Sequence, residues 1–577
     1  MKLDQEKRVM AAFALTFVML ILYRVFFMKT PPPPAKKPAA TTSAPVASGQ
    51  PAASAAPSAQ PQAAKAAAPQ ALPVVQGSKS EEVVVESKLY RVTFSTEGAV
   101  VKSWVLKGYR DAKNEPLDTV DGPACATLGY PLSVGTADAA LKAKLNQAIY
   151  VVGASKPGAG EAAPSGTPLA PPVTLTFTYS DGKIQAKKQF TFEDGYTLKA
   201  SVSVADGQSS LPIDVAWPGG FGDQSLPPSA SESIRQAVYG SLGDLSRLAQ
   251  HKIKEDRSIP GPLQLAGMED KYFVAIFLPE APGEVAFRLA RQEWSPPNWT
   301  EKEKPRPLLA TLAETQPKPL SFRLFVAPKD LDVLKSVSPS LESLLDFGWF
   351  SIIAKPLFIG LRYIYDHWIH NYGWAIIILT LGINLCMLPM RLKSIRSAQE
   401  MQRVSPIIKG IQDKYKQYKF NDPRKAKMNE EVMKVYSEHH INPLGSCLPM
   451  LLQIPFLYGF YRVLDVSIEL RHAPGVVWIK DLSAADPIYL LPIAMIITTF
   501  FLQRMTPMAS VDPAQQRMMM VMPIMMGVMF FRFPSGMLLY WVTGNVVQMG
   551  QQLFINRYMR APDPLLAPVR KPAGAKE

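Results

Sequence analysis

Thr380, Asn384 and Arg391 fall along one face of an otherwise apolar stretch, "TLGINLCMLPMRLKS", residues 380–394. Positions four and seven apart share a face because a helix turns once in about 3.6 residues. At a rise of about 1.5 Å per residue, Arg391 lies about 10 Å beyond Asn384 along the axis. Two readings fit Asn384. It belongs to a polar stripe that enters the membrane from one side and faces a wet interior, or it makes one bond to a neighbouring helix, worth roughly 0.6–2 kcal/mol. Further polar groups recur in the later apolar runs: Gln453 in "PLGSCLPMLLQIPFLYGF", Thr498 and Thr499 in the next, Asn545 and Gln548 in the last, after Tyr540-Trp541. No acid pair accompanies them, as an ion-coupled carrier would need. The chemistry they favour is solvation of polar groups at membrane depth rather than bond-making.

Other reactive constellations are missing from the sequence. It has no Walker loop, no H-E-x-x-H and no G-x-S-x-G. Its three cysteines, Cys125, Cys386 and Cys447, form no C-x-x-C and define neither a disulfide framework nor a zinc site. His367 and His370 could share a helix face, but an interfacial amphipathic helix accounts for them without a metal.

The elements that must hold the polar groups are apolar runs separated by charge. Residues 9–28 are long enough to cross a hydrocarbon core of about 30 Å, and Lys7 and Arg8 precede them. They read as an uncleaved anchor, 1–29; a signal peptide would have a shorter apolar region and a small-residue cleavage site. Residues 30–80, rich in Ala, Pro, Ser and Gln, read as a disordered tether. From 81 to 335 the period becomes two. In "KLYRVTFS", Tyr90, Val92 and Phe94 alternate with Leu89, Arg91 and Thr93. Residues 173–204 read as three strands turning at Asp181-Gly182 and Asp194-Gly195. A β-sandwich with no visible catalytic apparatus is expected there. In 341–370, aromatic residues, Lys355, Arg362 and Pro356 interrupt the apolar pattern, as in a helix lying in the interface.

Within 371–556, five spans are expected at 372–390, 443–464, 487–503, 518–533 and 535–556. The loop 391–441 carries twelve Lys/Arg against six Asp/Glu. It reads as a helical hairpin with Ile395, Ala398, Met401, Ile408, Ile411 and Tyr415 on one apolar stripe and Met428, Val432, Val435 and Tyr436 on the other. Pro406 is the expected kink, and Asp422 and Pro423 suit the start of the second helix. Its positive charge fits anionic lipid headgroups, ribosomal RNA, or simply the positive-inside rule. Six spans with both termini, including the tail 557–577, in the cytoplasm satisfy every loop and put 30–350 outside, in a bacterial periplasm. Seven methionines crowd residues 517–531, as on an adaptable binding surface or as plain lipid-facing surface.

Long segments of 341–560 resemble the YidC/Oxa/Alb family of membrane protein insertases in its Gram-negative form. The carriers are "DFGWF" with "KPLF", "INPLGSCLPMLLQIPF", "RHAPGVVWIKDLSAADPIYLLPI", "DPAQQRMMMVMP" and "FPSGMLLYWVTGN". The anchor, tether and β-domain agree in order and size. The resemblance implies a polytopic α-helical inner membrane protein with a periplasmic β-sandwich and a cytoplasmic hairpin. It implies an insertase and chaperone, not an enzyme, with no cofactor. Its partners would be nascent membrane proteins, the Sec translocon, the ribosome and anionic lipids, without a specific nucleic-acid sequence. A hydrophilic groove would be lined by Thr380, Asn384, Arg391, Gln453, Tyr540, Trp541 and Asn545, with Ile454, Leu457 and Met525 along its apolar edge. Asn384 stands where the family typically carries an arginine, and Trp541 where a tyrosine is usual. Asn384 would keep the groove wet while Arg391 supplies the charge from nearer the cytoplasm. A solute transporter would show inverted repeats with broken helices, and an intramembrane enzyme a nucleophile–base pair or metal cluster at depth; the sequence displays neither.

Overall fold

The computed structural model describes residues 72–558 except 112, 159, 161, 165, 208, 225–233, 295–306, 349, 419–421, 442–447 and 507–512. The expected anchor, the tether, most of the terminal tail and Cys447 lie outside the described residues.

Alternation of apolar and polar residues builds the first half. Among the described residues, twenty strands form sheets of eleven, five and four strands. Tyr90, Val92 and Phe94 are buried and Arg91 is exposed, as period two requires. The strands Val173–Asp181, Ile184–Phe192 and Thr197–Asp206 pair in antiparallel succession. Gly182 and Gly195 take φ of +90° and +97° at the two turns, a region L side chains rarely adopt. The Asp181 carboxylate accepts from Lys183 N at 2.9 Å and Ile184 N at 2.7 Å, closing the first turn.

Aromatic contacts join the three sheets in layers. Phe94 of the four-stranded sheet meets Phe190 of the eleven-stranded one at 5.2 Å, Trp104 meets Trp217 of the five-stranded one at 6.4 Å, and Tyr239 meets Phe287 at 6.2 Å. Lys188 is wholly buried among them and donates to Gly98 O, Ala99 O and Leu132 O at 2.7, 3.1 and 2.8 Å. All three ammonium donors can thus be satisfied. Among the described residues, three short helices accompany the sheets: α1 Gly122–Leu128, α2 Ala139–Gln147 and α3 Leu331–Val337.

The second half is helical: α4 Ser351–His367, α5 Tyr372–Arg403, α6 Ser405–Lys414, α7 Pro423–Glu438, α8 Leu448–Val466, α9 Leu490–Met505, α10 Pro513–Met529 and α11 Ser535–Tyr558. Helix α4 buries Ala354, Leu357, Phe358, Leu361 and Ile364 at helical spacing while Ile352, Ile359 and Tyr363 stay exposed. The expected first span runs on without a break into α5's last turns, so 391–403 continue the same helix. The chain breaks at Val404, and Pro406 sits in the first turn of α6 rather than kinking a longer helix. Asp422 caps α7 as expected, its side chain accepting from Arg424 N at 2.9 Å. Met401, Val404, Ile408, Val435, Tyr436 and Ile441 form the hairpin's own core.

Among the described residues, α5 is the one helix long and apolar enough to cross a membrane; α9 is apolar but shorter. Helices α8, α10 and α11 overlap the remaining expected spans without meeting that test. Contacts fix their directions. Phe460 stacks on Tyr540 at 4.4 Å and Leu464 lies beside Gly536, so α8 runs antiparallel to α11. Asn545 bonds Thr498 and Asn556 bonds Met505 O, and Gly544 lies beside Thr380 while Gln551 meets Arg391, so α9, α11 and α5 are parallel.

A single apolar core runs from the sheets through Leu341, Leu344 and Phe347 into the helices. Ion pairs flank this joint. Buried Glu269 pairs with Arg247 at 2.8 Å and Lys329 at 3.0 Å, and Arg247 also donates to Ser343 O at 2.8 Å. Lys271 reaches Asp465 at the end of α8 at 3.0 Å.

Candidate functional site: a polar seam between three helices

Helix α5 starts at Asn371, whose side chain accepts from Trp374 N at 3.1 Å. Two turns further, Thr380 is wholly buried and donates to Ile376 O at 2.6 Å. Asn384, half-buried, donates from Nδ2 to Thr380 O at 2.9 Å. Both side chains therefore bond the carbonyl four residues back on their own helix. Of the two readings open for Asn384, a side-chain bond to a neighbouring helix is not the one displayed among the described residues.

Helix α11 supplies the opposite wall. Gly544 faces α5: a Cβ built there would lie at ordinary contact distance, 3.9 Å from Thr380 Cγ2 and Asn384 Nδ2, and 4.0 Å from Gln548 Nε2. Asn545, buried, donates to Thr498 Oγ1 at 3.0 Å and Thr499 Oγ1 at 2.9 Å on α9. Thr498 Oγ1 in turn donates to Ala494 O at 2.7 Å. Lower down, Gln551 faces back to α5. Its Oε1 accepts from Arg391 Nη1 at 3.2 Å, and its Nε2 donates to Asn384 O at 3.4 Å. Arg391 is half-buried, and among the described residues no carboxylate pairs with it.

The structure thus brings Thr380, Asn384, Arg391 and Asn545 into one seam with Thr498, Thr499 and Gln548. Gln453 on α8 is half-buried and shares no hydrogen bond with these groups among the described residues. Tyr540 is buried against Phe460, and Trp541, partly buried, lies 5.2 Å from Phe530. Ile454 and Met525 are exposed at 50% and 57%, and Leu457 packs on the core. Sequence reasoning missed Gln551. Its signal was present: Asn545, Gln548, Gln551 and Gln552 recur at three- and four-residue steps, one polar stripe on α11.

The seam holds amides, hydroxyls and one guanidinium, a set that solvates polar groups but offers no nucleophile with a base. Among the described residues no group of His, Cys, Asp and Glu could hold a metal ion. His367 stacks on Tyr363 at 4.3 Å and His370 lies 5.9 Å from Tyr365.

Two sequence families match this chain: "60Kd inner membrane protein" over residues 364–562 and "YidC periplasmic domain" over 82–359. The membrane protein insertase YidC of Syntrophus aciditrophicus (strain SB) is 33% identical over 572 residues, spanning 96% of this chain and 99% of the relative. That of Geobacter metallireducens is 34% identical over 572 residues, with the same coverage. A solved structure, the active YidC insertase with its first transmembrane domain resolved, aligns with 83% of this chain and 93% of its own at 18% identity and a TM-score of 0.34.

Proposed function

The chain belongs to the YidC family of membrane protein insertases, and on that premise we propose that the seam between α5, α9 and α11 is the wall of a hydrophilic groove through which polar ends of substrate proteins pass. The family is one of non-enzymatic inner membrane proteins with a periplasmic domain. The observation that carries the proposal is the seam itself: three parallel helices turn Thr380, Asn384, Asn545, Gln548 and Arg391 towards one another with no acid among them.

The energetics follow from the bilayer. A charged residue at its centre costs roughly 2.5–3.5 kcal/mol on insertion scales. Amides, hydroxyls and water in a half-channel offset part of that cost. Burial of the substrate's own apolar segment, at about 25 cal/mol per Å², supplies the drive, so no nucleotide is required. The exposed apolar side chains Ile454 and Met525 suit an edge along which that segment moves into lipid. Gln453 would complete the groove from α8.

In this reading both termini are cytoplasmic, six spans cross the membrane and residues 30–350 lie in the periplasm. The basic hairpin α6–α7 meets anionic headgroups, at about 1 kcal/mol per basic residue near the surface, and receives substrates from the ribosome. The protein works alone or beside the Sec translocon. Asn384 keeps the groove wet, and Arg391 carries the charge that attracts acidic ends.

The test is ribosome-free insertion of a small single-span protein with an acidic tail into liposomes holding the purified chain, read by protease protection. Wild type should insert it, and Arg391→Ala should insert it more slowly. Failure of wild type to protect the substrate would remove the insertase reading for this chain alone. An unchanged rate for Arg391→Ala would remove the role given to that charge.

A further inference from the structure

Gln551 stands between the two features that set this seam apart. The first is a cation that no carboxylate pairs with among the described residues. Arg247, Arg362, Arg462 and Arg471 each reach a carboxylate, whereas Arg391 reaches a neutral amide oxygen. A carboxylate there would orient the guanidinium and cancel its charge. An amide orients it and leaves the charge to be answered by another anion. That bond occupies a single donor of the five that a guanidinium presents in a fork matched to carboxylates.

The second feature is the turn around Pro389. Proline has no N–H, so the α5 ladder lacks the bond to the carbonyl four residues back, that of Leu385. Gln551 Nε2 reaches α5 one residue before that carbonyl, on Asn384 O. The two ends of one amide are therefore committed in opposite senses, nitrogen to the α5 backbone and oxygen to Arg391. That pairing fixes which way the amide faces, and with it where the guanidinium is held.

We propose that Gln551 is a positioning residue for Arg391, and that this pair sets how strongly the groove prefers carboxylate-bearing substrate ends over neutral ones. The inference rests on the role given above to Arg391.

Its test uses the full chain in liposomes and two substrates with the same apolar span, one with an Asp/Glu-rich tail and one with Asn/Gln in the same places. The readout is the ratio of their protease-protected rates. Gln551→Met removes the acceptor and should lower the ratio about two- to tenfold, the weight of one hydrogen bond, with the neutral substrate unchanged. Gln551→Glu places a carboxylate against the guanidinium and should bring the ratio down to that of Arg391→Ala. In an Arg391→Ala background Gln551→Met should not alter the ratio further.

The inference is overturned if both Gln551 variants keep the wild-type ratio while Arg391→Ala lowers it. It is also overturned if acidic and neutral substrates slow together, which marks Gln551 as mere packing between α5 and α11. An unchanged ratio in Arg391→Ala itself would instead sink the reading of Arg391.

Discussion

Arg471, in the connector between α8 and α9, meets Asp223 of the β-domain at 2.5 Å, with the two side chains 8% and 7% exposed. Its guanidinium also lies 5.5 Å from the Tyr272 ring and 5.4 Å from the Phe273 ring. Removing one partner of a buried pair strands the other charge, at about 3–5 kcal/mol. Arg471→Met is therefore expected to loosen the joint far more than loss of the half-exposed Lys199–Glu193 pair, worth at most about 1 kcal/mol. Limited proteolysis between the β-domain and the helices checks this. Arg471→Met combined with Asp223→Leu should recover much of the loss.

The same joint should respond to pH through Glu469, in the turn after α8. Both its carboxylate oxygens are buried with no partner beyond its own backbone among the described residues. Burial first, then Asp330 and Asp332, push it up to about 7, against the pull of Arg362. Tyr109 of the β-domain and Tyr372 of α5 also face it. The fold favours the protonated acid. Its contribution is complete below the unfolded value of about 4.3, declines as pH rises to about 7, and is flat above. Thermal unfolding in detergent between pH 4 and 8 should show this slope in wild type minus Glu469→Gln. A flat difference would contradict it.

Lys188 gives a second test inside the β-domain. Burial pushes it down to about 7, yet its three donors each reach a backbone carbonyl. Lys188→Met keeps the volume and leaves three buried acceptors unpaired, each costing about 1–3 kcal/mol. The β-domain should then melt at lower denaturant concentration, with the helical region unaffected.

Asn545 carries the contact between α9 and α11. Asn545→Leu removes both threonine bonds, and interhelical bonds in membranes average about 0.6 kcal/mol each. The expected loss of stability is about 1 kcal/mol, read by unfolding in mixed micelles. Thr498→Val should cost less, because Thr499 still accepts.

Periodicity made much of this fold legible. The alternation around Tyr90 and the Asp-Gly turns at 181–182 and 194–195 placed strands and hairpins correctly, because each signal acts within a few residues. The stripes of Ile408 and Val435 and the Asp422 cap placed the hairpin for the same reason. The end of α5 was not legible: charge marks a membrane boundary, but a helix continues through it until backbone geometry stops it at Val404. At the seam, spacing placed Thr380, Asn384 and Arg391 on one face. What faces them depends on helix rotation and approach, so the bridge through Gln551 became visible only in three dimensions. Resemblance supplied the groove reading; the residues alone left Asn384 open between two roles.

The most direct test of the groove is water access at the seam. Cysteines would be introduced singly, after replacing Cys125, Cys386 and Cys447, and exposed to a membrane-impermeant maleimide on inverted inner-membrane vesicles. Asn384→Cys and Gln548→Cys should label from the cytoplasmic side. Leu385→Cys and Val546→Cys, whose native side chains are 68% and 54% exposed on the outer apolar surface, should stay inert in lipid. Lys434→Cys in the hairpin serves as the labelled control. If Asn384→Cys and Gln548→Cys are as inert as Leu385→Cys while the control labels, the seam is a dry helix contact and the groove account fails.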